Sequence, residues 1–357
     1  MTTNKTRALI VGATGISGQA LCRAALEAGW TTYGLSRSGS VTVDGVIPVA
    51  ADLLDVNSLE EALNDVRPEV VFFTAWMKKD SEQENIEVNS ATLRNVLNVL
   101  GPLDSVKHVA LMTGLKHYLG PFDAYGEAVM AETPFHETED RLDTPNFYYA
   151  QEDELFAGAE KFGFGWSVHR AHTISGFAVG NAMNMMLTLS VYASICKELG
   201  EKFVFPGSET QWNGLTDLTD ADLLAEQMVW AATDENAHNE AFNIANGDVF
   251  RWRWLWPQFA AHFGVEPEGF DSEPRPLEPC MSDAAAAWKR IAEKHDLAES
   301  DVSRLASWWH TDGDLGRDME CLTDMNKSKK ASFLGFRSTP DAIASVIARY
   351  RDARLIP

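Results

Sequence analysis

The opening of this chain constrains its fold more than any other feature. An apolar, β-branched run, RALIVG (7–12), leads directly into VGATGISG, with Gly12, Gly15 and Gly18 at intervals of three. A helical pattern follows, with Ala20, Leu21, Ala24, Ala25 and Leu26 on one side. The alternation then continues. TTYGLSR (31–37) reads as a second strand and VIPVAADL (46–53) as a third, with a helix through SLEEALNDV. VVFFTAW (70–76) is a fourth strand, followed by the helix NIEVNSATLRNVLNVL, and HVALMTG (108–114) is a fifth. Strands alternating with helices predict a parallel sheet, and continuous apolar strands predict one covered on both faces. The expected class is α/β, a Rossmann-type doubly wound parallel sheet.

Beyond about residue 175 the rhythm loosens, and Trp252, Trp254, Trp256, Trp288, Trp308 and Trp309 crowd the last third. Residues 1–175 are read as a dinucleotide-binding domain, with chain from about 203–248 returning to complete the sheet. Residues 176–357 are read as a smaller, mainly helical substrate-binding region interleaved with it. The stretch from Ala171 to Cys196 carries no charge if His172 is neutral, and Asn181, Asn184, Gly176 and Gly180 interrupt it. Polar groups and glycines inside it argue for a buried helix lining a pocket or subunit contact rather than a membrane span.

Composition narrows the partners. A net charge of -22 opposes nucleic acid and requires any anionic cofactor to be caught locally. Cys22, Cys196, Cys280 and Cys321 match neither a zinc pattern nor a CxxC pair, so a reducing cytoplasm is expected. The N-terminus runs straight into a strand and does not read as a secretory segment. No HExxH, GxSxG or P-loop lysine is present, and no metal site is expected.

The glycine turn supplies what a pyrophosphate needs: a tight bend, close backbone approach and the open N–H groups of a helix start. Gly12, Thr14, Gly15, Ile16 and Gly18 are therefore candidate cofactor contacts. The second strand ends in Ser36-Arg37-Ser38, without the acid that would bond a ribose diol. Arg37 and the two serines suit a 2′-phosphate, which favours NADP(H). Asp52 and Leu53 after the third strand, Ala75, Thr113 and Ile174 complete the expected cofactor wall. For Asp52 the alternative is a cap on the next helix.

Short-chain dehydrogenases usually carry Tyr-x-x-x-Lys, which puts both side chains on one helix face. Every tyrosine here lacks it: the fourth residue after Tyr148 is Glu152 and after Tyr149 is Asp153. Two segments stand in its place. MTGLKHYLGPF follows the fifth strand and carries Thr113, Lys116 and Tyr118, and NFYYAQEDELF opens the next helix with Tyr148 and Tyr149. Together with WSVHRA, LTLSVYASICKE, FPGSETQWNG, NEAFNIANGDVFRW and DMNKSKKASFLGFR, these segments closely resemble the progesterone 5β-reductase and iridoid synthase family. The resemblance runs from the glycine loop to the C-terminus.

That resemblance implies an extended short-chain fold with a displaced lysine. Lys116 matches the family's catalytic lysine and Tyr148 its catalytic tyrosine. Trp76 matches a tryptophan bordering the active site, and Tyr118 and Phe122 are expected either to wall the substrate pocket or simply to pack. The implied chemistry is NADPH-dependent reduction of a carbon–carbon double bond conjugated to a carbonyl, with Tyr148 and Lys116 stabilising the enolate. The chain departs from the family in keeping one arginine, Arg37, after the second strand. It also has Ala171-His172 where proline and glycine are usual. A small apolar carbonyl compound is the expected substrate and a homodimer the expected assembly. The alternatives are a carbonyl reductase or sugar-nucleotide epimerase on the same scaffold, or a non-catalytic NADP sensor.

Overall fold

The computed structural model describes residues 5–121 and 132–357. Its strands are β1 Arg7–Val11, β2 Thr31–Ser36, β3 Ile47–Ala50, β4 Val70–Phe73, β5 His108–Gly114, β6 Gly165–Ala171, β7 Ile174–Ser175, β8 Phe203–Val204, β9 Thr219–Asp220, β10 Glu240–Ile244 and β11 Pro267–Glu268. Seven form one sheet in the order β10-β6-β5-β4-β1-β2-β3. Every neighbouring pair in it is parallel. The chain moves outward from β1 to β3, then crosses back to β4. This reversal opens a crevice at the carboxyl ends of β1 and β4, the place where doubly wound sheets receive ligands.

Side-chain alternation makes the two faces. Ala8 and Ile10 of β1 pack on one side against α1 (Ile16–Glu27), and Leu9 and Val11 on the other against α2 (Val56–Leu63) and α3 (Glu82–Leu100). All four residues of β4 are buried, and each contributes about 1.5–3 kcal/mol by leaving water. Of the region 203–248, only β10 joins the main sheet. It lies at the sheet edge beside β6, while the short β8 pairs with β11 and β9 with β7.

The second core lies under the C-terminal half. The uncharged stretch after β6 divides: β7 comes first, and helix α6 begins only at Met185 (α4 is Lys116–Leu119, α5 Phe147–Phe162, α6 Met185–Leu199). The first twelve residues of α6 are all buried, including Met185 and Met186. Trp252, Trp256 and Trp288 are buried beside it. Their indole N–H groups need partners when dry. Trp256 finds the Phe203 carbonyl at 2.9 Å and Trp288 the Glu299 carbonyl at 3.1 Å. No helix among the described residues is long and apolar enough to cross a membrane.

Candidate active site

The glycine turn builds the inner of two adjoining cavities. Gly12 has φ +90, a region most side chains avoid, and a Cβ at Gly18 would overlap the Gly12 carbonyl oxygen. Helix α1 starts at Ile16 without a side-chain cap, so its first N–H groups remain available to an anion. Gly15, Ile16 and Gly18 line this cavity, together with Thr113 and Ile174. The Thr113 hydroxyl is buried there without a hydrogen-bond partner among the described residues, and a bound polar group would satisfy it. Thr14 stands outside at the turn, its carbonyl accepting from Gln19 Nε2 at 3.0 Å, and Ala75 packs against Gly12.

The groups after β2 and β3 occupy the far end. Arg37 and Ser38 are exposed. Ser36 is not: its hydroxyl donates to the Ser40 carbonyl at 2.8 Å and closes the loop. Ser38 Oγ lies 2.9 Å from Ser40 Oγ. Asp52 is exposed, and its carboxylate accepts from the Leu54 N–H at 2.9 Å. The cap of α2 is Asp55, so the helix-capping alternative for Asp52 does not hold. Leu53 is buried.

Lys116 and Tyr148, 32 residues apart in sequence, line the same inner cavity. One helix start holds both. Asn146 caps α5 by accepting the Tyr148 N–H at 3.0 Å, and its own Nδ2 donates to the Lys116 carbonyl at 2.7 Å. Tyr149, the second of the pair, points elsewhere. Its hydroxyl donates to the His117 carbonyl at 2.5 Å and accepts from the Leu142 N–H at 3.0 Å. Lys116 Nζ lies 5.0 Å from the centre of the Phe147 ring. Gly114 leaves room for the tyrosine: a Cβ there would meet the Ala171 carbonyl at 2.9 Å and Tyr148 Oη at 3.4 Å. Burial, reinforced by the negative charge of Glu82, pushes the Tyr148 hydroxyl above its ordinary pKa. At neutral pH it is therefore a hydrogen-bond donor.

Tyr118 does not reach either cavity. It is buried behind Lys116, with its ring stacked on Phe135 at 5.0 Å and its hydroxyl donating to Asn243 Oδ1 at 2.6 Å. The expectation that it walls a substrate pocket is corrected by this packing: the short helix α4 turns Lys116 forward and Tyr118 into the core. Phe122 lies outside the described residues. Trp76 lines both cavities, its ring 5.9 Å from Phe147.

A buried polar network, silent in the sequence pattern, closes the far wall. Arg317 pairs with Asp314, and Asp314 accepts from Thr173 Oγ1 at 2.8 Å. Arg317 Nη1 lies 3.0 Å from His172 Nε2, and His172 Nδ1 lies 2.6 Å from Asp217. Nε2 faces a guanidinium that has only donors, while Asp217 beside Nδ1 draws the ring toward its charged form against burial. The network ties the helix Trp308–Leu315 to the turn after β6. Its members come from three distant segments, and no local spacing announces them. The outer cavity, about 580 Å³, meets the inner one at three shared residues: Trp76, Lys116 and Arg317.

Comparison with known proteins shows the family. The model of a PRISE-like Rossmann-fold domain matches residues 50–357. The (S)-8-oxocitronellyl enol synthase of Camptotheca acuminata is 40% identical over 98% of this chain and 93% of its own. The 3-oxo-Delta(4,5)-steroid 5-beta-reductase of Arabidopsis thaliana is 39% identical over the same shares, 98% and 93%. Among solved structures, the UDP-glucose 4-epimerase of Thermotoga maritima aligns with a TM-score of 0.69 at 16% identity, over 97% of this chain and 98% of that one. That likeness shows the fold. The near-complete coverage by relatives and by the family model places this chain in the PRISE-like Rossmann-fold family.

Proposed function

We propose that this protein is an NADPH-dependent reductase of carbon–carbon double bonds conjugated to a carbonyl, acting in the cytoplasm. The observation that carries the reading is the meeting of Tyr148 and Lys116 on the wall of the cavity opened by the glycine turn. The relatives named as an enol synthase and a steroid 5-beta-reductase support the same class of chemistry.

The residues present fit the cofactor. The uncapped start of α1 and the bend at Gly12 suit a pyrophosphate, and the buried Thr113 hydroxyl offers a donor further in. The absence of an acid after β2, with Arg37 and Ser38 exposed there, favours a 2′-phosphate. When bound, the reduced nicotinamide supplies a hydride to the β-carbon of the substrate. Tyr148 keeps its proton and donates a hydrogen bond to the carbonyl oxygen, where negative charge builds as the enolate. Lys116, positioned through Asn146, adds positive charge on the same wall. Fixed donors aimed at developing charge are worth about 10²–10³ in rate for each one lost. Water entering through the outer cavity returns the proton to the α-carbon.

The test is turnover of a panel of small enones with NADPH, with the products identified by mass spectrometry and NMR. Saturated carbonyl products, lost in Tyr148→Phe, are expected. Allylic alcohols from the wild type would replace this reading with carbonyl reduction.

A further inference from the structure

A segment of the C-terminal half passes beside the glycine turn. After β7 the chain runs from Gly176 to Asn184 before α6 begins, and it meets the N-terminus of α1 twice, at Gly176 and at Asn181. Its path is fixed at three points. A Cβ on Gly176 would stand 2.6 Å from Ile16 Cγ2, so the segment starts in close contact with the first residue of α1. The Gly180 N–H donates to the Arg304 carbonyl at 2.8 Å. Asn184 caps α6, donates through Nδ2 to the Ala178 carbonyl at 3.1 Å and accepts the Tyr350 hydroxyl at 3.0 Å.

Between these anchors Asn181 lines the inner cavity with Gly15, Ile16 and Gly18. Its Oδ1 accepts the Met183 N–H at 2.9 Å, which sets the orientation of the amide. Holding the oxygen leaves the two N–H donors of Nδ2 directed away from Met183. On that side lies the glycine turn, with Nδ2 3.7 Å from the position of a Cβ on Gly15. Among the described residues Nδ2 has no hydrogen-bond acceptor. Gly15 itself has φ -76 and ψ 174, a conformation open to any residue. A Cβ there would make only ordinary contacts, with the Gly12 carbonyl oxygen at 3.4 Å and with Asn181. Neither the backbone nor the packing of the protein calls for glycine at this position. A Cβ would instead fill the space between the uncapped start of α1 and the Asn181 amide. Asp314 is the one carboxylate lining the inner cavity among the described residues, and it is paired with Arg317.

We infer that Asn181 is a cofactor-binding residue, its Nδ2 donating to the pyrophosphate received at the start of α1. A side chain of the C-terminal half thus completes a grip that the glycine turn begins. This rests on the reading of the inner cavity as a dinucleotide site and is independent of the reaction carried out there. The contact falls on a group that NADPH and NADH share, so it gives affinity without the preference assigned to Arg37.

Calorimetric titration of the full chain tests it, with NADPH, NADH and adenosine 2′-monophosphate as probes. The last carries the 2′-phosphate and lacks the pyrophosphate. Asn181→Ala should raise the Kd of NADPH and of NADH alike by about tenfold, the scale of a hydrogen bond to a charged group. It should leave adenosine 2′-monophosphate within about twofold. Asn181→Asp keeps the acceptor for the Met183 N–H but turns a donor into an anion, so it should bind both dinucleotides more weakly still, by about 100-fold against the wild type. The reverse order, with Asp at wild-type affinity and Ala weakened, would mean that Asn181 only shapes its own turn, and it overturns the inference. So does an equal loss for adenosine 2′-monophosphate, or an unchanged Kd in both variants. A wild type that binds neither dinucleotide would instead overturn the dinucleotide reading, and the role of Asn181 with it.

Discussion

The displaced lysine makes a demand that Tyr149 can be used to test. In Tyr-x-x-x-Lys enzymes one helical turn fixes the pair, whereas here two hydrogen bonds from the start of α5 hold the backbone of Lys116 and His117. Tyr149→Phe removes the hydroxyl and keeps the ring, which meets the His117 ring edge-on at 5.4 Å. The change strands two groups, the His117 carbonyl and the Leu142 N–H. Leaving buried partners unpaired costs about 1–3 kcal/mol, so a fall in Tm is expected whatever the role in catalysis. The catalytic effect is separate. A displacement of about 1 Å in a reacting group can cost about 10² in rate, and partial release of the 116–118 turn should lower kcat by about tenfold. The Kd for NADPH should stay within about twofold, because the glycine turn is untouched. The assay is steady-state kinetics beside cofactor titration and thermal melting. A variant with lowered Tm and unchanged kcat would refute the clamp, since Lys116 would then be positioned without Tyr149.

Other perturbations have defined outcomes. Arg37→Ala should raise the KM for NADPH by about 10–100-fold, the worth of a charge-assisted hydrogen bond, and leave NADH nearly unaffected. Gly18→Ala should abolish cofactor binding or folding, because its Cβ overlaps the Gly12 carbonyl; native-like NADPH affinity would contradict the close-approach argument. Buried His169 and His108 have pKa values held down to about 4 and about 3 by burial, from 6.5. At these two sites the unfolded chain binds more protons below pH 6.5, so their contribution to stability is full above that value and is lost as pH falls toward 4. Urea midpoints measured from pH 7.5 to 4.5 should fall accordingly, with a smaller fall in His169→Gln.

The parts legible in the sequence were those written in local spacing. The strand–glycine–helix opening and the apolar strands through Val70–Phe73 each declare themselves within a dozen residues, and all five early strands form where the pattern puts them. The candidate pair Lys116 and Tyr148 was reachable only through resemblance, since no spacing rule links residues 32 apart. Tyr118 shows the limit of such reasoning. It sits two residues from Lys116, and only the direction of a single helical turn decides that it packs on Phe135 instead of facing the cavity. The Asp314–Arg317–His172–Asp217 network was invisible for a related reason: its charges are buried in mutual pairing, and pairing across 145 residues leaves no local trace. The polar lining of the outer cavity likewise arises where Lys78 meets Trp309 across the fold.

The most direct test of the central claim follows the hydride itself. NADPH carrying deuterium at the transferred position, given to the wild-type enzyme with a simple enone, should place the label on the β-carbon of a saturated ketone, seen by NMR. Label on a carbinol carbon would mean that the carbonyl is the acceptor, and the roles given to Tyr148 and Lys116 would have to be rebuilt around an alkoxide instead of an enolate.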